Sequence, residues 1–304
     1  MIYLRKFMCL LAIASITSPP IFAAAPEEMR LKPSSKWNVQ YADDSCRLAR
    51  IFGEGDEQVL LFMDRYSPGD SFRLTLSGKP METKATDRPL KVQFGPSEIE
   101  QKLEFYTGDL NKDTPSIIIK SRISMAPLTE EQWKLLAANA KSKSPIVMPV
   151  PRIDPARISA ITYISVGQPL RATYILETGS MGKPMAALSA CIDELITHWG
   201  VDVKRHATLS KHAVPISSPA NWINWQDYPS KLLEKNQDGL VNFRLSIDDK
   251  GLPTQCHIQQ TLRERGFDEA VCQSLMKRAR FTPALDANNV PIASYYLSSV
   301  HFVA

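Results

Sequence analysis

The chain has 304 residues, 44% of them hydrophobic and 22% charged, with 36 Lys and Arg against 32 Asp and Glu. These proportions are those of an ordinary globular protein and exclude a disordered one. The near balance of charge, closer still without Arg5 and Lys6, argues against nucleic acid as a partner.

The first 25 residues read as an export signal. Arg5 and Lys6 form a basic start, Phe7 to Ile16 is an apolar run, and Ala23-Ala24-Ala25 offers small residues to a signal peptidase. A spanning helix needs about 20 consecutive apolar residues, and this run meets Thr17, Ser18 and Pro19-Pro20 first. The expectation is a protein released into the periplasm. The alternative is an uncleaved inner-membrane anchor facing the periplasm, the one case that would put the chain in a membrane.

Beyond the signal, Pro26 to Lys36 is polar and reads as a lead-in. Strands are predicted at Trp37 to Tyr41, Arg47 to Phe52, Gln58 to Tyr66, Phe72 to Leu76, Lys91 to Phe94, Phe105 to Tyr106 and Ile117 to Ile123. Turn residues such as Gly53-Glu54-Gly55-Asp56 and Ser67-Pro68-Gly69-Asp70 separate them. A helix is expected from Leu128 to about Ala140, with Thr129 and Gln132 spaced as a capping box. Lys141 to Pro155 is rich in proline and breaks structure. Ile158 to Val166 and Ala172 to Leu176 read as further strands around Gly167-Gln168-Pro169. Gly182 to Trp199 reads as a helix, with Met185, Leu188, Ile192, Leu195 and Trp199 mostly three or four apart. Residues 26–205 are thus expected to be a β-rich antiparallel domain with two helices. Nothing in this part resembles a known family, and its role is open.

Residues 206–221 lose periodicity and carry Pro215, Ser217, Ser218 and Pro219, as a linker does. Residues 222–304 form the last predicted domain. A short helix follows Asp227-Tyr228-Pro229. Leu240 to Ile247 alternates as a strand and ends at the turn Asp248-Asp249-Lys250-Gly251, where glycine supplies positive φ. Pro253 to Gln260 is the returning strand, Phe267 to Ala279 an amphipathic helix, and Ser294 to Phe302 the last strand. The whole chain is therefore of the α+β class.

Without Cys9, four cysteines remain, and an even number in an exported protein favours disulfides. Cys256 lies on a predicted strand and Cys272 on the helix that should cover it, so these two are expected to pair. Cys46 would then pair with Cys191 and close the first domain on itself.

The order helix, strand, strand, helix, strand brings several landmarks together: Tyr228-Pro229, Gly239-Leu240-Val241, the Asp248 to Gly251 turn, Phe267-Asp268-Glu269-Ala270, and Ala279-Arg280-Phe281-Thr282-Pro283-Ala284. In this order and spacing they resemble the C-terminal domain of the TonB family. The resemblance implies a domain that pairs with a short extended segment of an envelope partner, such as an outer-membrane receptor, through its last strand. Carried onto this chain, that edge is Tyr295, Tyr296, Leu297, Ser298, Ser299 and Val300. Main-chain hydrogen bonds give the affinity in such pairing, whereas Tyr228, Phe281 and Pro283 are read as architecture. The chain departs from force-transmitting members of the family: its start reads as cleavable, and residues 26–205 stand where a proline-rich spacer would lie. The resemblance thus implies a periplasmic binding module more than a transducer in transmembrane transport. A structural protein that self-pairs into a homodimer through the same edge, and an enzyme in the first domain, are the alternatives.

Signs of catalysis are thin. Ser180-Met181-Gly182-Lys183 and Ser274-Leu275-Met276-Lys277 fit Ser-x-x-Lys but have no supporting motifs. His198, His206, His212, His257 and His301 are scattered, with His206 and His212 read as solvated linker residues. Asp43-Asp44 and Asp248-Asp249 read as turns and not as calcium loops. No cofactor, no metal and no catalytic residue is expected.

Overall fold

The computed structural model of the chain describes residues 27–132, 134 and 153–304. The export signal and most of the helix expected from Leu128 to Ala140 lie outside them. Thr129 and Gln132 do exchange both hydrogen bonds of the capping box, at 2.9 and 3.2 Å.

The N-terminal part contains strands β1 (Glu28–Leu31), β2 (Asn38–Tyr41), β3 (Cys46–Phe52), β4 (Val59–Arg65), β5 (Arg73–Ser77), β6 (Leu90–Phe94), β7 (Gln101–Leu103), β8 (Phe105–Asp109), β9 (Pro115–Ile119), β10 (Ile164–Val166) and β11 (Thr173–Leu176). Helices α1 (Pro155–Ala160), α2 (Gly182–His198) and α3 (Val203–Ala207) accompany them. The strands form a six-stranded sheet ordered β2-β3-β4-β5-β9-β8 and a five-stranded sheet ordered β1-β11-β10-β6-β7.

Three sequence expectations change here. The lead-in from Pro26 to Lys36 contains β1, which pairs with β11 in parallel, so this part is not purely antiparallel. The strand expected from Ile158 begins as helix α1: Pro155 occupies its first turn, where the missing N–H costs nothing, and the Asp154 carboxylate accepts from Ala156 N at 2.9 Å. Third, two short helices, α1 and α3, join α2 in this part.

The C-terminal part consists of β12 (Val214–Pro215), α4 (Ser230–Leu233), β13 (Gly239–Ile247), β14 (Pro253–Arg263), α5 (Asp268–Arg278), β15 (Phe281–Thr282), β16 (Ala284–Leu285), β17 (Pro291–Ile292) and β18 (Ser294–Phe302). Its main sheet is antiparallel and ordered β14-β13-β18. Alternation explains its layering. Val241, Phe243, Leu245 and Ile247 on one face of β13 are buried in the same cluster as Val271 and Leu275 of α5. The buried apolar side chains fall into two clusters, one spanning Leu31 to Val201 and one spanning Ala213 to Phe302. Within residues 206–221, Ala213 belongs to the second cluster, and Val214–Pro215 pairs with Phe281–Thr282.

Two disulfides join elements in the predicted pairs. Cys46 on β3 bonds to Cys191 on α2, and Cys256 on β14 bonds to Cys272 on α5.

Candidate functional site

Strand β18 stands at one end of the C-terminal sheet and, among the described residues, is paired through β13 alone. The pairing runs without a register shift from Gly239 opposite Phe302 to Ile247 opposite Ser294. β14, at the other end, is different. Its pairing with β13 slips between Asn242 and Phe243 and again between Ser246 and Ile247, leaving Gln259 and Thr254 as extra residues. Such bulges bend a strand and spoil it as a template. β18 is the regular edge.

The six residues expected along this edge divide between two faces. Tyr296 points to the α5 side, where its ring lies 5.6 Å from Trp222 and 5.1 Å from Phe281. Tyr295 points to the opposite side, at 5.5 Å from Trp199 of the N-terminal part and stacked on His206 at 5.0 Å and 19°. Both tyrosines are half-buried, as are Leu297, Ser298 and Val300, whereas Ser299 is exposed. Burial pushes the Tyr295 phenol well above its ordinary range. The two tyrosines therefore fill the domain on either side, and the strip left at this edge is main chain.

The face of the sheet opposite α5 is occupied by the N-terminal part. Arg244 of β13 reaches Asp44 at 3.0 Å, and its guanidinium carbon sits 4.0 Å from the Trp199 ring centroid. Gln259 Nε2 donates to the Asp44 carbonyl at 3.3 Å, and the Tyr66 hydroxyl donates to Gln260 Oε1 at 3.4 Å. A cleft of about 400 Å³ remains at one end of this seam, between Tyr106 and Ile118 on one side and Leu240 and His301 on the other. Sequence reasoning missed the seam because Arg244 sits on the polar face of an alternating strand, which reads as solvent-facing.

The architectural residues behave as their chemistry dictates. Tyr228 lies edge-on to Phe267 and Phe302 at 5.4 and 5.3 Å, and its hydroxyl donates to Gln237 O at 2.6 Å. Phe281 is buried against Trp222 at 5.3 Å. Asp227 and Arg278 form a two-pronged ion pair at 2.7 and 2.8 Å, and Arg278 holds the Asp227 carboxyl far below its ordinary range.

Residues 225–303 match the TonB C-terminal family. The matching family model is that of the Gram-negative bacterial TonB protein C-terminal. No curated protein matches the chain. The match spans the sheet, α5 and the β18 edge, and it bears out the resemblance carried by the landmark residues. TonB C-terminal domains are non-enzymatic protein-interaction domains of the cell envelope that meet partners such as outer-membrane receptors.

The remaining candidates have structural roles in the TonB-like domain or beside it. Ser180 Oγ donates to the Ser159 carbonyl at 2.8 Å, and Ser274 is buried on α5. Asp248 Oδ1 accepts from Lys250 N and Leu252 N, closing its turn. His206 is not a solvated linker residue: it is half-buried, Ser294 Oγ lies 2.9 Å from its Nε2, and burial followed by His212 pulls it down to about 4. Among the described residues no cluster of metal-ligating side chains occurs, and no helix is long and apolar enough to cross a membrane.

Proposed function

We propose that this chain is a non-catalytic periplasmic protein whose TonB-like domain, residues 222–304 behind a linker at 206–221, binds an extended segment of an outer-membrane receptor by strand addition at β18. One observation carries the reading: the two edges of the sheet differ, β18 being regular over nine residues and β14 bulged twice. An unpaired regular edge presents a row of main-chain donors and acceptors, which is what an added strand needs. The side chains of Tyr295 and Tyr296 are committed to the two faces, so they set the pitch of the edge, while Leu297, Ser298, Ser299 and Val300 lie nearer the guest. Release from the signal at residues 1–25 would deliver the protein to the compartment where receptors expose such segments.

The test is amide hydrogen exchange of the purified mature chain with synthetic peptides copied from the periplasm-facing N-terminal segments of the receptors of the same cell. The expected result is new protection at alternate amides of β18. Protection confined to β14, or none at saturating peptide, would overturn the reading. Loss of monomer on dilution-sensitive sedimentation, with β18 already protected in the peptide-free protein, would assign the edge to self-pairing in a homodimer instead.

A further inference from the structure

Arg47, Asp64 and Arg73 stand side by side on β3, β4 and β5, since Arg47 is in register with Asp64 and Asp64 with Arg73. Residues opposite one another in antiparallel strands share a face and interact. Arg47 takes both oxygens of Asp64, at 2.6 and 2.9 Å, so the carboxylate in this row is already engaged on both sides of its fork. Arg73 is left next to it. Its residue is only 4% exposed, and its Nε and Nη1 are buried with no hydrogen-bond partner.

A second guanidinium stands across from it: Phe72 and Ile123 form an antiparallel bridge with hydrogen bonds of 2.9 and 2.8 Å, which sets Arg122 opposite Arg73. Arg122, whose residue reaches the surface, is held below its ordinary value by loss of solvent around its guanidinium and then by the charge of Arg73. Tyr66 lies among these groups: Arg73 is 6.0 Å from its ring, and Asp64, Arg73, Arg47 and Arg122 all act on its hydroxyl. Burial, the largest effect, pushes that hydroxyl up to about 12, so it stays a neutral hydrogen-bonding group. Neither Arg73 nor Arg122 belongs to an ion pair among the described residues. Residues 1–26, 133 and 135–152 contain no Asp or Glu, so they hold no side-chain carboxylate that could serve.

Two like charges drawn together, one of them out of water and with idle donors, are unfavourable unless an anion joins them. A guanidinium fork matches the oxygens of a carboxylate or a phosphate group. We propose that Arg73 and Arg122 form a binding site for a small oxyanion, a free phosphate or carboxylate, beside Tyr66 at the seam with the C-terminal sheet. The donors are Arg73 Nε and Nη1, and Arg122 supplies the second charge from the open side. The Tyr66 contact to Gln260 places the anion close to both parts of the chain.

The experiment is thermal unfolding of the mature protein in sodium chloride, inorganic phosphate and acetate at matched ionic strength, with Arg73→Gln and Arg122→Gln alongside. Phosphate, acetate or both should raise the wild-type Tm by about 2–4 °C over chloride at saturating anion. A response to phosphate alone assigns a tetrahedral ligand, and a response to acetate alone assigns a carboxylate. Arg73→Gln should abolish the response while unfolding no lower than wild type in chloride, because a buried charge without a partner has been removed. Arg122→Gln, at an exposed position, should fold normally and lose most of the response. Equal wild-type Tm values in all three salts, or wild-type responses in both variants, would overturn the proposal.

Discussion

Arg244, on the middle strand of the C-terminal sheet, meets Asp44, in the loop between β2 and β3, at 3.0 Å across the seam. The arginine side chain is 3% exposed and lies over Trp199, whereas the aspartate side chain is 24% exposed. The two partners therefore differ in what they leave behind. Asp44→Asn strands a guanidinium inside the protein, and Arg244→Met leaves a carboxylate that water can reach. Asp44→Asn is expected to destabilise by about 2–4 kcal/mol and Arg244→Met by about 1–2 kcal/mol. Urea denaturation of the two variants checks the order.

The Arg244 result bears on how much was legible in the sequence. Alternation in β13 placed Val241, Phe243, Leu245 and Ile247 on a core face, and their burial agrees. The same alternation placed Arg244 on the other face, and periodicity cannot tell solvent from a second folded unit. The last strand was readable to the residue because, His301 apart, Ser294 to Phe302 is apolar or hydroxyl-bearing throughout. The pair Cys256–Cys272 followed from placing one cysteine on a strand and its mate on the covering helix, and Cys46–Cys191 was the pair that remained. β1 was hidden, since Glu28 and Arg30 are polar and the strand pairs in parallel with a segment 145 positions away, Thr173 opposite Glu28. Helix α1 was misread as the start of the strand expected from Ile158 to Val166, although Asp154-Pro155 carries a helix-start signal. The β18 edge was read from the family landmarks; the orphan donors of Arg73 had no signal in sequence at all.

Disulfide loss gives a second prediction. In the chain-entropy account, cross-linking constrains the unfolded state more for longer loops. The bond Cys46–Cys191 spans 145 positions and Cys256–Cys272 spans 16. Replacing both cysteines of the long loop by serine should cost about 5 kcal/mol, and of the short loop about 3 kcal/mol. Guanidinium unfolding of each double variant measures this, and mass mapping of the unreduced protein should find no free thiol at Cys256 or Cys272.

Gly251 closes the β13–β14 hairpin with φ of 83°, and a Cβ there would lie 1.9 Å from the Phe281 carbonyl oxygen. That approach is with backbone, and Phe281 N donates to Gly251 O at 2.9 Å, so neither side can step back cheaply. Gly251→Ala should destabilise by about 2–4 kcal/mol, combining left-handed strain with the clash. Its Tm against that of Gly55→Ala is the measurement, because a Cβ at Gly55 meets nothing.

The pH dependence follows from His206. Its folded value, about 4, lies below the ordinary 6.5. Between these values the unfolded chain binds a proton that the folded chain refuses, so stability is full above about 6.5 and falls as the pH drops toward 4. The groups around it are Tyr295, Ser294 and His212, with the Arg205–Asp286 pair on the adjacent residue. The loss across this window should be about 2–3 kcal/mol. His206→Phe keeps a ring against Tyr295 and removes the proton site, and its stability between pH 7 and 4.5 should fall less steeply than that of wild type.

Helix α5 lies on one face of the C-terminal sheet and the N-terminal part lies on the other, joined through Arg244, Trp199, Tyr295 and Gln260. The sheet is thus lined on both sides, like a card between two boards, and apart from the cleft beside Leu240 and His301 a visitor reaches it along its rim. Peptide units on a rim are alike whatever side chains they bear. Substitutions in β18 that keep both faces filled and avoid proline should therefore leave the rim intact, so that this strand can drift in sequence faster than its position in the fold would lead one to expect.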